Sequence, residues 1–276
     1  IDIIFIVVFI FILIIPILNF NLKKDVISVA EKRKLYDFPK TKSIFSILDQ
    51  TYLEDLENWF NDHIGFRDQI ISLNSKMDFY LFNKIDTADF YVNKNNNLIY
   101  ATNKMIENYQ GNNLLSDNDL DKLVNSFEVV NKYFNSKGID FIYVPCYDKQ
   151  SIYPNDFLDY VYKNNNFSKR DQIVSRLNNN DSINIVDFKQ DLLNNKDKYL
   201  LYGNWSDPTH WTERGAYIGY LSIMNKINTK YNVNILKEND YDISYQYKNY
   251  NLNGNIFNQD YLETFKIKED RAKKMS

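Results

Sequence analysis

From residue 116 onward, stretches with a helical period alternate with stretches with a strand period, and that alternation leaves few architectures open. Ser116 is placed to cap a helix whose apolar face is Leu120, Leu123, Val124, Phe127, Val130 and Phe134, with Gly138 as its stop. Residues 139–144 read as a strand closed by Pro145. A helix near 168–178 follows, then a strand over 183–188 and a short edge strand over 199–202. A last helix, 213–228, carries Ala216, Tyr220, Leu221, Met224 and Ile227 as its inward face. Strands separated by helices imply parallel pairing through right-handed crossovers. The expectation is an α/β fold of three layers, helices covering both faces of a parallel sheet in which 139–144 and 183–188 are neighbours or near-neighbours.

The other end of the chain has a different character. Residues 1–18 are apolar apart from Asp2, close to the roughly 20 residues that span a bilayer. No small-residue cleavage site follows, so 1–20 read as an uncleaved transmembrane signal-anchor rather than a cleaved signal peptide. The competing reading is a buried core element. Residues 21–50 read as a linker. An accessory helical segment, 51–88, holds one helix with Leu53, Leu56 and Phe60 on a face, a break at Gly65, and a second helix over 67–82. Phe90-Tyr91-Val92 and Leu98-Ile99-Tyr100 suit short strands around the turn Asn95-Asn96-Asn97. Beyond 229 the chain is polar, with a turn at Asn253-Gly254-Asn255 and a charged, frayed end.

Composition removes several function classes. Among 276 residues the net charge is −3, so there is no basic surplus to hold nucleic acid. The single cysteine, Cys146, allows no intrachain disulfide and reads as a small buried filler. Two histidines far apart give no zinc-ligand spacing. Without a G-x-G-x-x-G or a P-loop, no nucleotide cofactor is expected, and none of another kind. The 22 tyrosines can stack on sugar rings or fill a core, and the core reading takes precedence.

One short segment carries chemistry. Asp207 stands three residues before His210, with Pro208 stiffening the loop between them and Thr212 placed to cap the following helix. A carboxylate tethered beside an imidazole orients the ring, sets its tautomer and stabilises the imidazolium, which suits a general base for acyl transfer. A lone Asp-x-x-His also occurs as a purely structural hydrogen bond. The nucleophile is harder to place, since no Gly-Asp-Ser and no Gly-x-Ser-x-Gly is present. Ser206 is too close in sequence to the pair to be placed independently. Ser151, in the loop after strand 139–144, is the in-chain substitute, and Ser244 and Ser276 have no supporting context. In that same loop Tyr147 or Lys149 is a candidate for lining the cleft, although Lys149 reads equally as an ordinary solvated lysine. His63, beside a helix end, reads as structural.

The segment Asp207, His210, Trp211, Gly215, Ala216, Tyr217 resembles the Asp/His block of SGNH-hydrolase-like proteins, and most of all their alginate O-acetyltransferase branch. In much of that branch the acid sits two residues before the histidine, where this chain has Pro208. The block 51–68, the loop with Pro145, Lys149, Tyr153 and Pro154, and residues 252–257 extend the resemblance over roughly 30–260. It implies an SGNH-like, flavodoxin-like domain over 89–260, with 261–276 as a tail. It further implies a membrane-anchored, extracytoplasmic O-acyltransferase, single-pass in the cell membrane. Such an enzyme modifies hydroxyls of a surface or exported polysaccharide with an acyl group delivered by a multispan membrane acyltransferase. His210 is then the base, Asp207 its orienter, and Trp211, Lys149 and Tyr147 substrate-binding. The nucleophilic serine is expected beyond residue 276, the sequence being truncated at both ends. Two rivals remain open: hydrolysis of a glycan ester on the same fold, and a non-catalytic glycan-binding or assembly protein.

Overall fold

A computed structural model describes residues 2–23, 26–28, 31, 33–40, 49–82, 84–85, 87 and 89–275. Part of the linker expected over 21–50, notably 41–48, and Ser276 lie outside the described residues. The chain divides into two compact units, one formed by 1–87 with 251–257, the other by 88–250 with 258–276.

In the first unit, α1 (Asp2–Leu18) is followed by α2 (Gln50–His63) and α3 (Arg67–Phe82). Helix α1 is apolar but has only 17 residues, with Pro16 inside it. At 1.5 Å per residue it is about 25 Å long, short of the roughly 30 Å hydrocarbon core. No helix among the described residues is long and apolar enough to cross a membrane. The transmembrane helix and the single-pass cell-membrane location expected from residues 1–20 are therefore corrected. The helix end is held by one local and one distant contact: the Asn19 side-chain amide donates to the Ile15 carbonyl (3.0 Å), and Gly65 N–H donates to the Pro16 carbonyl (2.9 Å). Asp62 is buried and accepts from the two terminal Arg33 guanidinium nitrogens (2.7 and 2.6 Å) and from Tyr36 N–H (2.8 Å). His63 is also buried, its Nδ1 bonded to the Trp59 carbonyl (2.7 Å) and its ring packed on Phe20 and Trp59. The turn at 253–255 belongs to this unit, because the Asn255 side chain pairs with Ser72 (2.6 and 2.8 Å).

The second unit opens with β1 (Phe90–Val92) and β2 (Leu98–Tyr100), an antiparallel hairpin. Then come α4 (Asn103–Gln110), α5 (Asp117–Asn135), the short α6 (Lys149–Ile152), α7 (Lys169–Asn178), α8 (Lys189–Asn195) and α9 (Glu213–Tyr231). Strands β3 (Tyr241–Lys248) and β4 (Asp260–Ile267) and helix α10 (Glu269–Met275) complete it. Ser116 caps α5 and Thr212 caps α9, each accepting a backbone N–H from the first turn.

The three-layer parallel sheet is not found. Among the described residues the sheets are two antiparallel two-stranded ribbons, β1–β2 and β3–β4. Segments 139–144 and 183–188 meet at one parallel bridge, Tyr143 with Ile185, held by Tyr143 N–H to Asn184 O (2.8 Å) and Val186 N–H to Tyr143 O (3.0 Å). The physical reason lies in what apolar alternation reports. It marks residues that seek cover, and here Phe141 and Tyr143 find it against Phe134 and Phe127 of α5. That side-chain burial needs no continuous ladder of backbone hydrogen bonds.

The core beside these segments contains Tyr147, Ile152, Phe188, Leu192, Leu201, Tyr202 and Ile218. Cys146, expected as a buried filler, is exposed instead. Helix α9 turns a different face inward from the one expected, burying Gly215, Tyr217, Ile218 and Gly219. The two glycines, four apart, let the helix backbone close on its neighbours. A Cβ at Gly215 would stand 2.6 Å from Leu201 O, and one at Gly219 3.3 Å from the Phe188 ring. The polar C-terminal stretch forms the β3–β4 ribbon, whose pairing runs through the boundary expected at 260/261.

Candidate active site

Residues 200–212 form a closed loop. Tyr202 and Trp211 make an antiparallel bridge, and Thr212 ties its N–H to Leu201 O (2.8 Å) and its hydroxyl to Leu200 O (2.8 Å). Inside the loop the chain is anchored from three directions. The buried Lys149 ammonium donates to Gly203 O (2.8 Å) and Asn204 Oδ1 (3.3 Å). Asn204 O accepts from Leu98 N–H (2.9 Å), and Trp205 Nε1 donates to Asn96 O (2.8 Å). Asp260, at the start of β4, accepts from Trp205 N–H and Ser206 N–H, both at 2.8 Å. These bonds satisfy backbone groups that would be costly to leave unpaired, and they hold the next residue, Asp207, in place.

Asp207 then organises the tip. Its Oδ1 accepts from Thr209 N–H (2.8 Å), the Thr209 hydroxyl (2.6 Å) and His210 N–H (3.2 Å). Its Oδ2 stands 2.9 Å from His210 Nδ1. The Thr209 oxygen is also 2.7 Å from Nδ1. Since the single Thr209 proton points at Asp207, both oxygens facing Nδ1 are acceptors, which assigns the ring proton to Nδ1 and leaves Nε2 as the proton acceptor. Burial pushes the Asp207 carboxyl up, but the Thr209 hydroxyl and amide and the His210 contacts outweigh it and hold the group below the usual carboxylate range. The His210 side chain is 78% exposed, so its free nitrogen can exchange protons with an arriving hydroxyl.

The ring stands at a cavity of about 460 Å³ whose wall includes Ser206, Asp207, His210, Trp211, Tyr247 and Lys248. Lys248 pairs with Glu213 (2.8 Å), and the other Glu213 oxygen accepts Phe265 N–H (2.7 Å), which pins the β3–β4 ribbon to the start of α9. Among the described residues no group of three His, Cys, Asp or Glu could hold a metal ion.

The sequence-derived candidates separate into two sets. Asp207, His210 and Trp211 share this cavity. Tyr147 and Lys149 are not part of its wall. Tyr147 is buried, with its hydroxyl donated to Asp187 (2.7 Å), and burial and that carboxylate together push its pKa up. Lys149 is 5% exposed, and burial lowers its pKa to about 8. The Ser151 hydroxyl is committed to Asp148, the cap of α6, whereas Ser206 lines the His210 cavity. Thr209, Asp260, Tyr247 and Lys248 escaped the sequence reading. Only Thr209 had a local signal, a hydroxyl next to the histidine; the others arrive from a distant ribbon.

Residues 105–265 match the family described as SGNH hydrolase-like domain, acetyltransferase AlgX. That interval contains Asp207, His210, the loop anchors Lys149 and Asp260, and the whole cavity wall. No curated protein matches the chain. Among solved structures, that of Bacillus cereus PatB1 with a sulfonyl adduct is similar at 14% identity and a TM-score of 0.48, over 66% of this chain and 58% of that one. A second structure of Bacillus cereus PatB1 is similar at 11% identity and a TM-score of 0.44, over 65% of this chain and 59% of that one. The chain thus spans less than two thirds of the length of those structures.

Proposed function

We propose that this chain, which belongs to the SGNH hydrolase-like family of the acetyltransferase AlgX, handles the proton in O-acyl transfer to a polysaccharide hydroxyl. His210 is the general base and Asp207 its orienting carboxylate. The observation that carries the reading is the 2.9 Å contact between Asp207 Oδ2 and His210 Nδ1, with the ring opening onto a cavity. A hydroxyl brought to Nε2 loses its proton to the imidazole as its oxygen attacks the acyl carbonyl carbon. Asp207, ionised, stabilises the imidazolium so formed. When the carbonyl re-forms, the proton passes from Nε2 to the departing oxygen. The same pair serves a serine that carries the acyl group in transit and the sugar hydroxyl that receives it.

Water can take the place of the sugar. The exposure of the His210 ring favours hydrolysis of a glycan ester as the second reading. The test is acetyl transfer from p-nitrophenyl acetate to a glycan by the polypeptide that the gene encodes, with product analysis separating transfer from hydrolysis. His210→Ala should lower kcat/KM by about ten-thousandfold or more, the scale of losing a triad member. Turnover that is indifferent to His210→Ala sinks the assignment. A folded wild-type protein that binds glycan without turning over any ester makes it the non-catalytic binding protein instead.

A further inference from the structure

The β3–β4 ribbon has one face with two fates. Tyr241, Ile243, Tyr245 and Tyr247 alternate on one side of β3, opposite Ile267, Phe265, Glu263 and Tyr261 of β4. At the root, Tyr241 and Phe265 pack on Tyr217 of α9, with ring centroids 5.6 and 5.3 Å apart. At the tip nothing among the described residues covers the rings: Tyr245, Tyr247 and Tyr261 are 54%, 65% and 58% exposed. They nevertheless form a row. Tyr245 stacks on Tyr261 (5.3 Å, 27° between planes), and Tyr261 meets Tyr247 directly across the ribbon (4.8 Å).

We infer that this row is a stacking platform for a pyranose chain, leading along Tyr245, Tyr261 and Tyr247 to the His210 cavity. The inference rests on the proposed function, because it takes the acceptor to be a polysaccharide. Cross-strand aromatic pairing alone explains ring contact, and the half-buried root pair, packed on Tyr217, shows what that looks like when packing is the purpose. At the tip three amphipathic rings are each more than half exposed to water. A pyranose offers a flat array of C–H groups to such a face, and its hydroxyls reach the phenol oxygens at the rim.

The row is also held in place. The Tyr245 hydroxyl donates to Glu263 Oε1 (3.0 Å), and Glu263 is gripped by the buried Arg214 (2.6 and 2.7 Å). A fixed ring loses little freedom when a sugar settles on it. Continuity selects the occupant, since Tyr247 and the adjacent Lys248 line the cavity that His210 opens onto. A chain lying on the platform therefore passes the base. Nucleic acid, which also stacks on aromatics, is disfavoured by the net charge of −3.

The test uses the whole chain with ring-labelled tyrosine, titrated with cellohexaose, chitohexaose and a hexagalacturonate to about 10 mM, enough to saturate a millimolar site. The ring signals of Tyr245, Tyr247 and Tyr261 should shift with at least one of these. The double variant Tyr245→Ala, Tyr261→Ala should weaken that binding by about fivefold or more. The matching double Phe variant, which keeps the rings, should retain it, and unshifted signals of Tyr241 and Tyr217 in the Ala pair check that the ribbon is still folded. His210→Ala should leave it unchanged. The platform is overturned if no hexasaccharide moves the rings, or if the Ala pair binds like the wild type. Ring shifts without His210-dependent turnover retire the enzymatic reading and leave the platform standing. Turnover with unaltered KM in the Ala pair retires the platform alone.

Discussion

Replacing Lys149 by methionine exposes the cost of the buried charge that holds the Asp207 loop. Lys149 is 5% exposed and its ammonium has two partners, Gly203 O and Asn204 Oδ1. Burial lowers its pKa from an ordinary 10.5 to about 8, against the opposing pull of Asp156 and Asp260. At roughly 1.4 kcal/mol for each pH unit, keeping the charge folded at neutral pH costs about 3 kcal/mol. The Lys149→Met change removes that cost but strands a buried carbonyl, a loss of about 1–3 kcal/mol. The two proteins should therefore have similar stability at about pH 7.

They should part at alkaline pH. Between about pH 8 and 10.5 the unfolded chain still holds the lysine proton while the folded chain has released it. Stability rises with pH wherever the unfolded state binds more protons, so the wild type gains where the methionine variant has nothing to titrate. By about pH 10 the wild type should have gained about 2 kcal/mol relative to the variant. Burial raises the pKa of Tyr147 and Tyr202, and their ionisation on unfolding weakens the fold at high pH, but this is common to both proteins and cancels in the difference. The assay is urea unfolding followed by far-ultraviolet circular dichroism at the two pH values. A difference that stays constant, or moves in favour of the methionine variant, refutes the reasoning.

Two further substitutions probe the loop. Gly215→Ala puts a methyl 2.6 Å from Leu201 O and 2.9 Å from Trp211 Cβ; since a backbone carbonyl cannot step aside, the cost should be about 1–3 kcal/mol, read as a lowered melting temperature, and an unchanged or higher one contradicts the close approach. Asp207→Asn tests the depressed carboxyl: its stabilisation is present above the ordinary carboxylate range and lost as pH falls through its lowered folded pKa. Thermal melts across the acid range should show a shallower loss for the Asn variant than for the wild type, and equally steep losses would mean that the Thr209 and His210 contacts contribute nothing.

What the sequence determined by itself was local. Ser116 and Thr212 cap their helices because a cap is a contact across three residues. Asp207 reaches His210 because a three-residue spacing with Pro208 between them brings the groups together wherever the loop lies. The tertiary structure decided the rest. Apolar alternation in 139–144 and 183–188 marked residues needing cover but could not say that α5 aromatics would supply it and leave a single bridge instead of a sheet. The composition of 1–18 signalled a helix, while its end at Leu18 depends on Asn19 and Gly65. Lys149 and Asp260 hold the loop from 54 and 55 residues away in sequence, as does the ribbon that carries Tyr247. Such partners have no local pattern, because a hydrogen bond across that distance depends on where the intervening chain folds back rather than on the spacing of its residues.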